Sequence, residues 1–425
     1  MAFYNSGLRS RNIEPVYDSS GFRSEFRLPS DSVFLTNWRL INVGLTTAAD
    51  DKQYNGFVGA FPIKSIQLYD GNELLDQLLE ANIWQAFQQY RKRNQYNASM
   101  GRRLLGHKRG YAWQGHNNDA ANPKQYLKVD SFLAAPHTKI AKADTFKSWI
   151  SVGEVLELLR ATQMIPTTVF KNLRLIINYD QDAKNVLNVN NSAFQNTQPL
   201  LVVDEVVNPE AKRKMLSAYK GASWNAIEHD RVVLPAVSPA PSNANETPQQ
   251  EKTFTLHGFN NKRLERLLIV NSPTNDSTMV SGNNVFQGGG LASKSQYNQK
   301  IQLRVNGANV LPKDGVTRPM ERLAMLNDTW GECNTYTGLA DIGVSGGALH
   351  IGNYATGGAQ EADYFGIQVG QVINDLQVDY KRNGVWSGDA NHNDRYNQQL
   401  FLNCFGEVPK AIQLNGKGGY NVLYV

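Results

Sequence analysis

Residues Lys64–Arg93 read KSIQLYDGNELLDQLLEANIWQAFQQYRKR, and the fold turns on how this stretch is parsed. Ile66 and Leu68 lead into Asp70-Gly71, the pattern of a strand entering a tight turn where glycine accepts a positive φ. Asn72 stands where a helix N-cap belongs, with Glu73 and Asp76 in the first turn. Leu75, Leu78, Leu79, Ile83, Ala86, Phe87 and Tyr90 recur at helical spacing, and Arg91, Lys92 and Arg93 fall where cations favour the helix dipole. The spacing predicts one long amphipathic helix over Asn72–Arg93, in a chain that otherwise reads as β.

The stretch has an echo in the second half. In Lys300–Pro312, KIQLRVNGANVLP, Ile301-Gln302-Leu303 precedes Asn306-Gly307-Ala308 much as Ile66-Gln67-Leu68 precedes Asp70-Gly71-Asn72, with one residue inserted. Upstream, Phe26-Arg27-Leu28 followed by Trp38-Arg39-Leu40-Ile41-Asn42-Val43 parallels Phe254-Thr255-Leu256 followed by Leu267-Leu268-Ile269-Val270-Asn271. Strands share composition, so one match carries little. Three blocks in the same order at similar separations point to a duplication.

The 425 residues exceed the roughly 250–300 of a single core, so two domains are expected. Charged residues make up 19% of the chain, below the usual ~25%, as suits a β-protein with long polar loops. No apolar run approaches membrane-spanning length, and the opening MAFYNSGLRSRNIEP lacks the apolar segment of a secretion signal. Cys333 and Cys404 form no metal or redox spacing, which fits a reducing site of synthesis and buried or inert thiols. The net charge of +5 is unevenly spread. Ala81–Asn118 holds no Asp or Glu but contains Arg91, Lys92, Arg93, Arg102, Arg103, Lys108 and Arg109. Such a run suits a neighbouring subunit's acidic face, nucleic acid, or simply solvent. Tyr96, Tyr111 and Trp113 beside it either stack bases or anchor the long loop.

Taken in order, residues 1–20 read as an irregular arm. Strands are expected over Phe22–Leu28, Val33–Thr46, Tyr126–Leu133 and Leu173–Tyr179, with a short helix over Val152–Arg160. The polar Asp180–Asn196 reads as an interdomain linker, after which Leu200–Val207 opens the second half. A short helix over Pro209–Lys220 follows, with proline at an early helical position. Strands then recur at Arg231–Val237, Phe254–Leu256, Arg266–Val270, Ile301–Val305, Tyr364–Val369, Leu376–Tyr380, Gln398–Phe405, Ala411–Leu414 and Asn421–Val425. Long loops at Asn275–Gln299 and Asn327–Ala362 separate them. The expected domains are 21–190 and 191–425, each all-β, built of paired sheets or barrels with Greek-key or jelly-roll connections.

Candidate chemistry does not survive inspection. Gly288–Ser295, GGGLASKS, has Ser293 where a phosphate loop needs glycine, and no strand or helix pattern flanks it. Asp389, Asn391 and Asn393 begin like a calcium loop, but Asp394 and Leu400 replace its glycine and its bidentate glutamate. The seven histidines never fall at metal spacing, and no serine sits in a nucleophile elbow. No catalytic, cofactor-binding or metal residue is assigned, no cofactor is expected, and the chain is not read as an enzyme.

Several stretches together carry a family likeness. They are SEFRLPSDSVFLTNWRLINVGLT, IKSIQLYDGNELLDQLLEANIWQAFQQYRKRN and VGEVLELLRATQMIPTTVFKNLRLIINYD in the first half. In the second they are TFTLHGFNNKRLERLLIVNSP, IQLRVNGANVLP and LFLNCFGEVPKAIQLNGKGGYNVLYV. The chain resembles the double jelly-roll major capsid proteins of Polinton-like viruses, virophages and related members of the adenovirus-like lineage. That resemblance implies two tandem eight-stranded antiparallel jelly rolls with helix-containing insertions, at about 72–123, 275–299 and 327–362. It implies homotrimeric, pseudo-hexagonal capsomers that tile an icosahedral shell in the virion, after synthesis in the host cell cytoplasm. Implied partners are other copies of the chain, neighbouring trimers, penton and minor capsid proteins, and an internal membrane or genome reached through the N-terminal arm. On this reading Trp84, Phe87, Arg91, Arg93, Arg102 and Arg103 are the expected subunit contacts, and Arg9 and Arg11 face inward. The alternative is a two-sandwich module that binds glycan or nucleic acid through its loops.

Overall fold

The computed structural model describes residues 7–19, 22–46, 52–53, 63–81, 83–84, 87–88, 139–140, 145–179, 199–239, 242, 246, 248–273, 299–312, 315–316, 319–331, 364–383, 399–415 and 419–425. The first half carries β1 (Leu8–Ile13), β2 (Tyr17–Ser19), β3 (Arg23–Arg27), β4 (Val33–Leu35), β5 (Arg39–Thr46), β6 (Lys52–Gln53), β7 (Ile63–Asp70) and β8 (Glu73–Leu78). It continues with β9 (Lys139–Ile140), β10 (Thr145–Ser151), α1 (Glu157–Ala161), β11 (Met164–Pro166), β12 (Leu173–Tyr179), β13 (Leu200–Val206) and the exposed helix α2 (Pro209–Ala218). The second half comprises β14 (Gly221–Leu234), β15 (Gln249–Thr255), β16 (Arg263–Pro273), β17 (Gln299–Val305), β18 (Ala308–Asn309), α3 (Pro319–Trp330), β19 (Tyr364–Val372), β20 (Leu376–Asn383), β21 (Leu400–Leu414) and β22 (Tyr420–Tyr424).

The two halves are wired alike. Among the described residues, the first half runs β3–β12–β7–β8 in one sheet, and the second runs β15–β20–β17–β18. The facing sheets are β10–β5–β13 with β1 on the far edge of β13, and β19–β16–β21–β14. Eight strands therefore correspond in order and in partner, and the chain is a double jelly roll. The duplication read from the echo is real at its anchor: both copies turn through a two-residue hairpin. Asp70 pairs with Glu73 across Gly71 at φ 59°, and Val305 pairs with Ala308 across Asn306 and Gly307 at φ 51° and 83°. Positive φ in such turns matches the twist of the flanking strands.

The organising stretch itself needs correction. Glu73–Leu78 is a strand, not the first turns of a helix, and Asn72 is a turn residue rather than a cap. Leu75 and Leu78 are buried, and a bulge between Leu68 and Tyr69 lets their spacing satisfy a strand as well as a helix. Pairing with β7 outweighs the intrinsic preference of leucine and glutamate for helix. Helix appears only after Glu80, with Ala81, Ile83, Trp84, Phe87 and Gln88 helical.

Three other expectations are revised. Within the N-terminal arm, Leu8–Ile13 and Tyr17–Ser19 are strands: β1 pairs with β13 from Leu8↔Val206 to Ile13↔Leu201, and β2 pairs with β3. An edge strand with one polar side gives no periodic signal, so the sequence concealed it. Leu200–Val206 completes the first roll rather than opening the second, because it pairs with β1, β4 and β5. The helix α3 opens on Pro319 and runs through Trp330, where the expected loop was to have begun at Asn327. The expected strand 126–133, linker 180–196 and loop 275–299 lie partly or wholly outside the described residues.

Candidate functional site: the seam between the rolls

The sheet β14–β21–β16–β19 is packed on both faces, as the alternation of its side chains requires. Leu267, Ile269, Leu402, Cys404 and Val408 close the second roll's own core. Leu268, Val270, Phe405 and Ile412, with Trp224, Ala226 and Ile227 of β14, join a core that continues through the first roll. The inserted helices meet there. Trp84 stands edge-on to Trp330 at 5.5 Å and 5.4 Å from Phe405, while Phe87 lies 5.8 Å from Trp330. Such aromatic contacts add stabilisation beyond the area they bury.

Charge surrounds this apolar centre. The Arg266 guanidinium lies 4.5 Å over the Trp330 ring, and its Nε donates to Glu407. Asn225 Nδ2 donates to the other oxygen of Glu407 at 2.9 Å. A cavity of about 410 Å³ opens beside these groups, walled by Trp84, Trp224, Trp330 and Arg160 among others.

A second cluster, of buried ionisable groups, lies where the rolls meet, and Asp76 reaches across it to Trp224. Asp76 of β8, 1% exposed, accepts from the Leu158 N–H at 2.8 Å, the Gln77 N–H at 3.0 Å and Trp224 Nε1 at 3.3 Å. Burial raises its carboxyl from 3.8 to about 6, against the pull of these donors and of Lys410. Lys410 Nζ lies 2.7 Å from Glu228 Oε1, and Lys262 Nζ lies 3.7 Å from Glu228 Oε2. Burial alone would raise Glu228, but Lys410, Lys262 and the Tyr424 hydroxyl together hold it below its ordinary value. Burial opposes the charge on Lys410, yet Glu228 wins and raises it.

The two carboxylates therefore act on stability with opposite signs. Because Asp76 titrates higher folded than unfolded, its contribution is full below its ordinary 3.8 and is lost as pH rises through about 6. The size is roughly 3 kcal/mol. Glu228, depressed in the fold, contributes above its ordinary 4.5 and loses that contribution as pH falls. Asp76→Asn should flatten the pH dependence of the urea midpoint between about pH 4 and pH 7. An unchanged slope in that variant would assign the slope to other groups.

The expected contact residues fall into three sets. Trp84 and Phe87 are 3% and 0% exposed, so they pack within the chain and are not free to meet a neighbour. Their helical spacing correctly marked a face that needs burial, but the partner is the chain's own second roll. Arg9 and Arg11 stand on β1, and both pair with Glu205 of β13, at 2.6 Å and 3.5 Å. Arg91, Arg93, Arg102 and Arg103 lie outside the described residues, as do the rest of the basic run, Tyr96, Tyr111, Trp113, the 288–295 loop and Cys333. Cys404 is buried, and burial raises its thiol well above the usual range, consistent with an inert cysteine. Among the described residues, no group of three or more His, Cys, Asp or Glu could hold a metal.

Sequence reasoning missed Asp76, Glu228 and Lys410. The available signal was a lone charge inside an otherwise apolar run, as in LLDQLL around Asp76 and VPKAIQL around Lys410.

No family model and no curated protein sequence matches the chain. Solved structures do. The chain is similar to the mavirus major capsid protein, with TM-score 0.54 and 10% identity over 100% of this chain and 91% of that one. A chain of the PBCV-1 virus capsid gives TM-score 0.56 at 12% identity, covering 98% and 97%. The Faustovirus major capsid protein gives 0.54 at 8%, covering 96% and 90%. At such identities the likeness is one of fold, and it spans both rolls.

Proposed function

We propose that this chain is a major capsid protein, a structural subunit that tiles an icosahedral virus shell and turns over no substrate. The observation that carries this reading is the seam. Two copies of one jelly roll are joined by a continuous apolar core and by the buried hydrogen bond from Trp224 to Asp76, so they form a single block rather than two hinged modules. A block of two similar rolls fits a trimer of near-hexagonal outline, and closed symmetry lets one chain cover a large surface. The full-length likeness to viral capsid proteins supports the same reading. On it, neighbouring trimers, penton and minor capsid proteins are the partners, the virion is the destination, and the N-terminal residues lie toward the membrane or genome.

Light scattering on the purified chain should give three times the mass of one chain, stable to dilution, and negative-stain images should show hexagonal outlines. A monomer that binds glycan or single-stranded DNA would replace this reading with the binding-module one.

A further inference from the structure

The seam cavity, at about 410 Å³, falls within the roughly 300–1,000 Å³ of small-molecule sites, and both rolls wall it. Trp84 and Gln88 come from the helical residues after β8, and Arg160 comes from α1. Trp224 comes from β14 and Trp330 from α3. Three indoles in one wall give a flat group a broad aromatic surface to pack on.

Charge in this wall is matched. Arg266 Nε donates to Glu407, and its Nη1 donates to the Thr329 carbonyl at 3.1 Å. Arg160 Nη1 lies 3.6 Å from Glu157 Oε1. Among the described residues, two guanidiniums thus answer two carboxylates. A charged ligand would find no spare countercharge and would pay for its lost hydration. The Arg266 guanidinium, 4.5 Å over the Trp330 ring, also holds the place where a cation would stack.

Hydrogen bonding in the wall is not matched. Trp330 is 4% exposed, and its buried Nε1 has no partner among the described residues. The buried Oε1 of Gln88 has none either. One atom is a donor and the other an acceptor. Folded chains leave few such atoms, because an unpaired buried polar group is costly. An amide supplies both complements, a carbonyl and an N–H, and on an aromatic ring it lies in a plane that packs on indole.

We infer that the seam cavity binds a small neutral amide carried on an aromatic ring. Trp330 Nε1 donates to its carbonyl, its N–H donates to Gln88 Oε1, and the indoles pack on its ring. Because both rolls wall the cavity, an occupant ties them together. The site lies within one chain, so it is independent of the capsid reading and of oligomeric state.

The test uses the full chain and nicotinamide as the probe. Calorimetry should show one site per chain with a Kd of about 1 mM or tighter, as a ligand of that size allows. The unfolding midpoint should rise with nicotinamide concentration. Nicotinate replaces the amide by a carboxylate, and pyridylmethylamine replaces it by an ammonium; each should bind about tenfold or more weakly. Gln88→Leu should weaken nicotinamide about tenfold and leave the midpoint of the ligand-free chain equal or higher, since it deletes an unpaired polar atom and no bond. Trp330→Phe keeps an aromatic ring, deletes the N–H, and should weaken nicotinamide to a similar degree. No binding of nicotinamide at about 10 mM overturns the site. Equal binding of either charged analogue overturns it, and so does undiminished binding to either variant.

Discussion

Trp330→Ala should lower the stability of the chain by about 3–5 kcal/mol, the cost of emptying a large aromatic site in a packed core. Trp330 is 4% exposed and touches both rolls, through Trp84 and Phe87 on one side and the Arg266 guanidinium on the other. The second roll is cut to receive it: a Cβ on Gly366 would lie 2.8 Å from Trp330 Cδ1 and 3.0 Å from Leu326 Cδ1. The second roll is therefore shaped around this ring. Because the first roll's core runs on into the seam, the whole denaturation curve should move as one transition. Two separate transitions, with only the later one shifted, would mean that the rolls fold independently and that the seam is not a common core. Trp84→Ala should cost a similar amount, and the double variant less than the sum, since residues in contact couple by about 0.5–3 kcal/mol.

Lys410→Met should be as costly for a different reason. Lys410 has a side chain 2% exposed and faces Glu228, itself 9% exposed. Removing the ammonium strands a buried carboxylate and takes from Asp76 the cation that helps hold its charge. Breaking a buried pair from one side costs about 3–5 kcal/mol, whereas replacing both partners is often close to neutral. Lys410→Met combined with Glu228→Gln should therefore recover much of the loss in the urea midpoint. The single variant should also gain stability on acidification, since protonating Glu228 removes the unpaired charge. A double variant no better than the single would show that the loss comes from packing around the lysine stem and not from charge.

Both variants act at a place the sequence marked only obliquely. Leu75, Leu78, Ile83 and Phe87 announced a face that needs burial, and all four are buried. Whether that face belonged to strand or helix was ambiguous, because a bulge shifts the strand's period by one residue. The hairpin glycines Gly71 and Gly307 were legible, since few residues accept positive φ. The N-terminal strand β1 was not: Leu8, Arg9, Ser10 and Arg11 become a strand only because β13, nearly two hundred residues later, offers an open edge.

The sequence by itself determined that the chain is β-rich, duplicated and free of recognisable catalytic spacing, because turn chemistry and alternation are local properties written every few residues. Tertiary structure alone decided where one roll ends and that Trp84 and Phe87 face inward on Trp330 and Phe405. It also decided that Asp76, Glu228 and Lys410 meet between the rolls. These depend on which distant strand fills which edge, a choice made by the burial of whole sheet faces and left unmarked by any short run of residues.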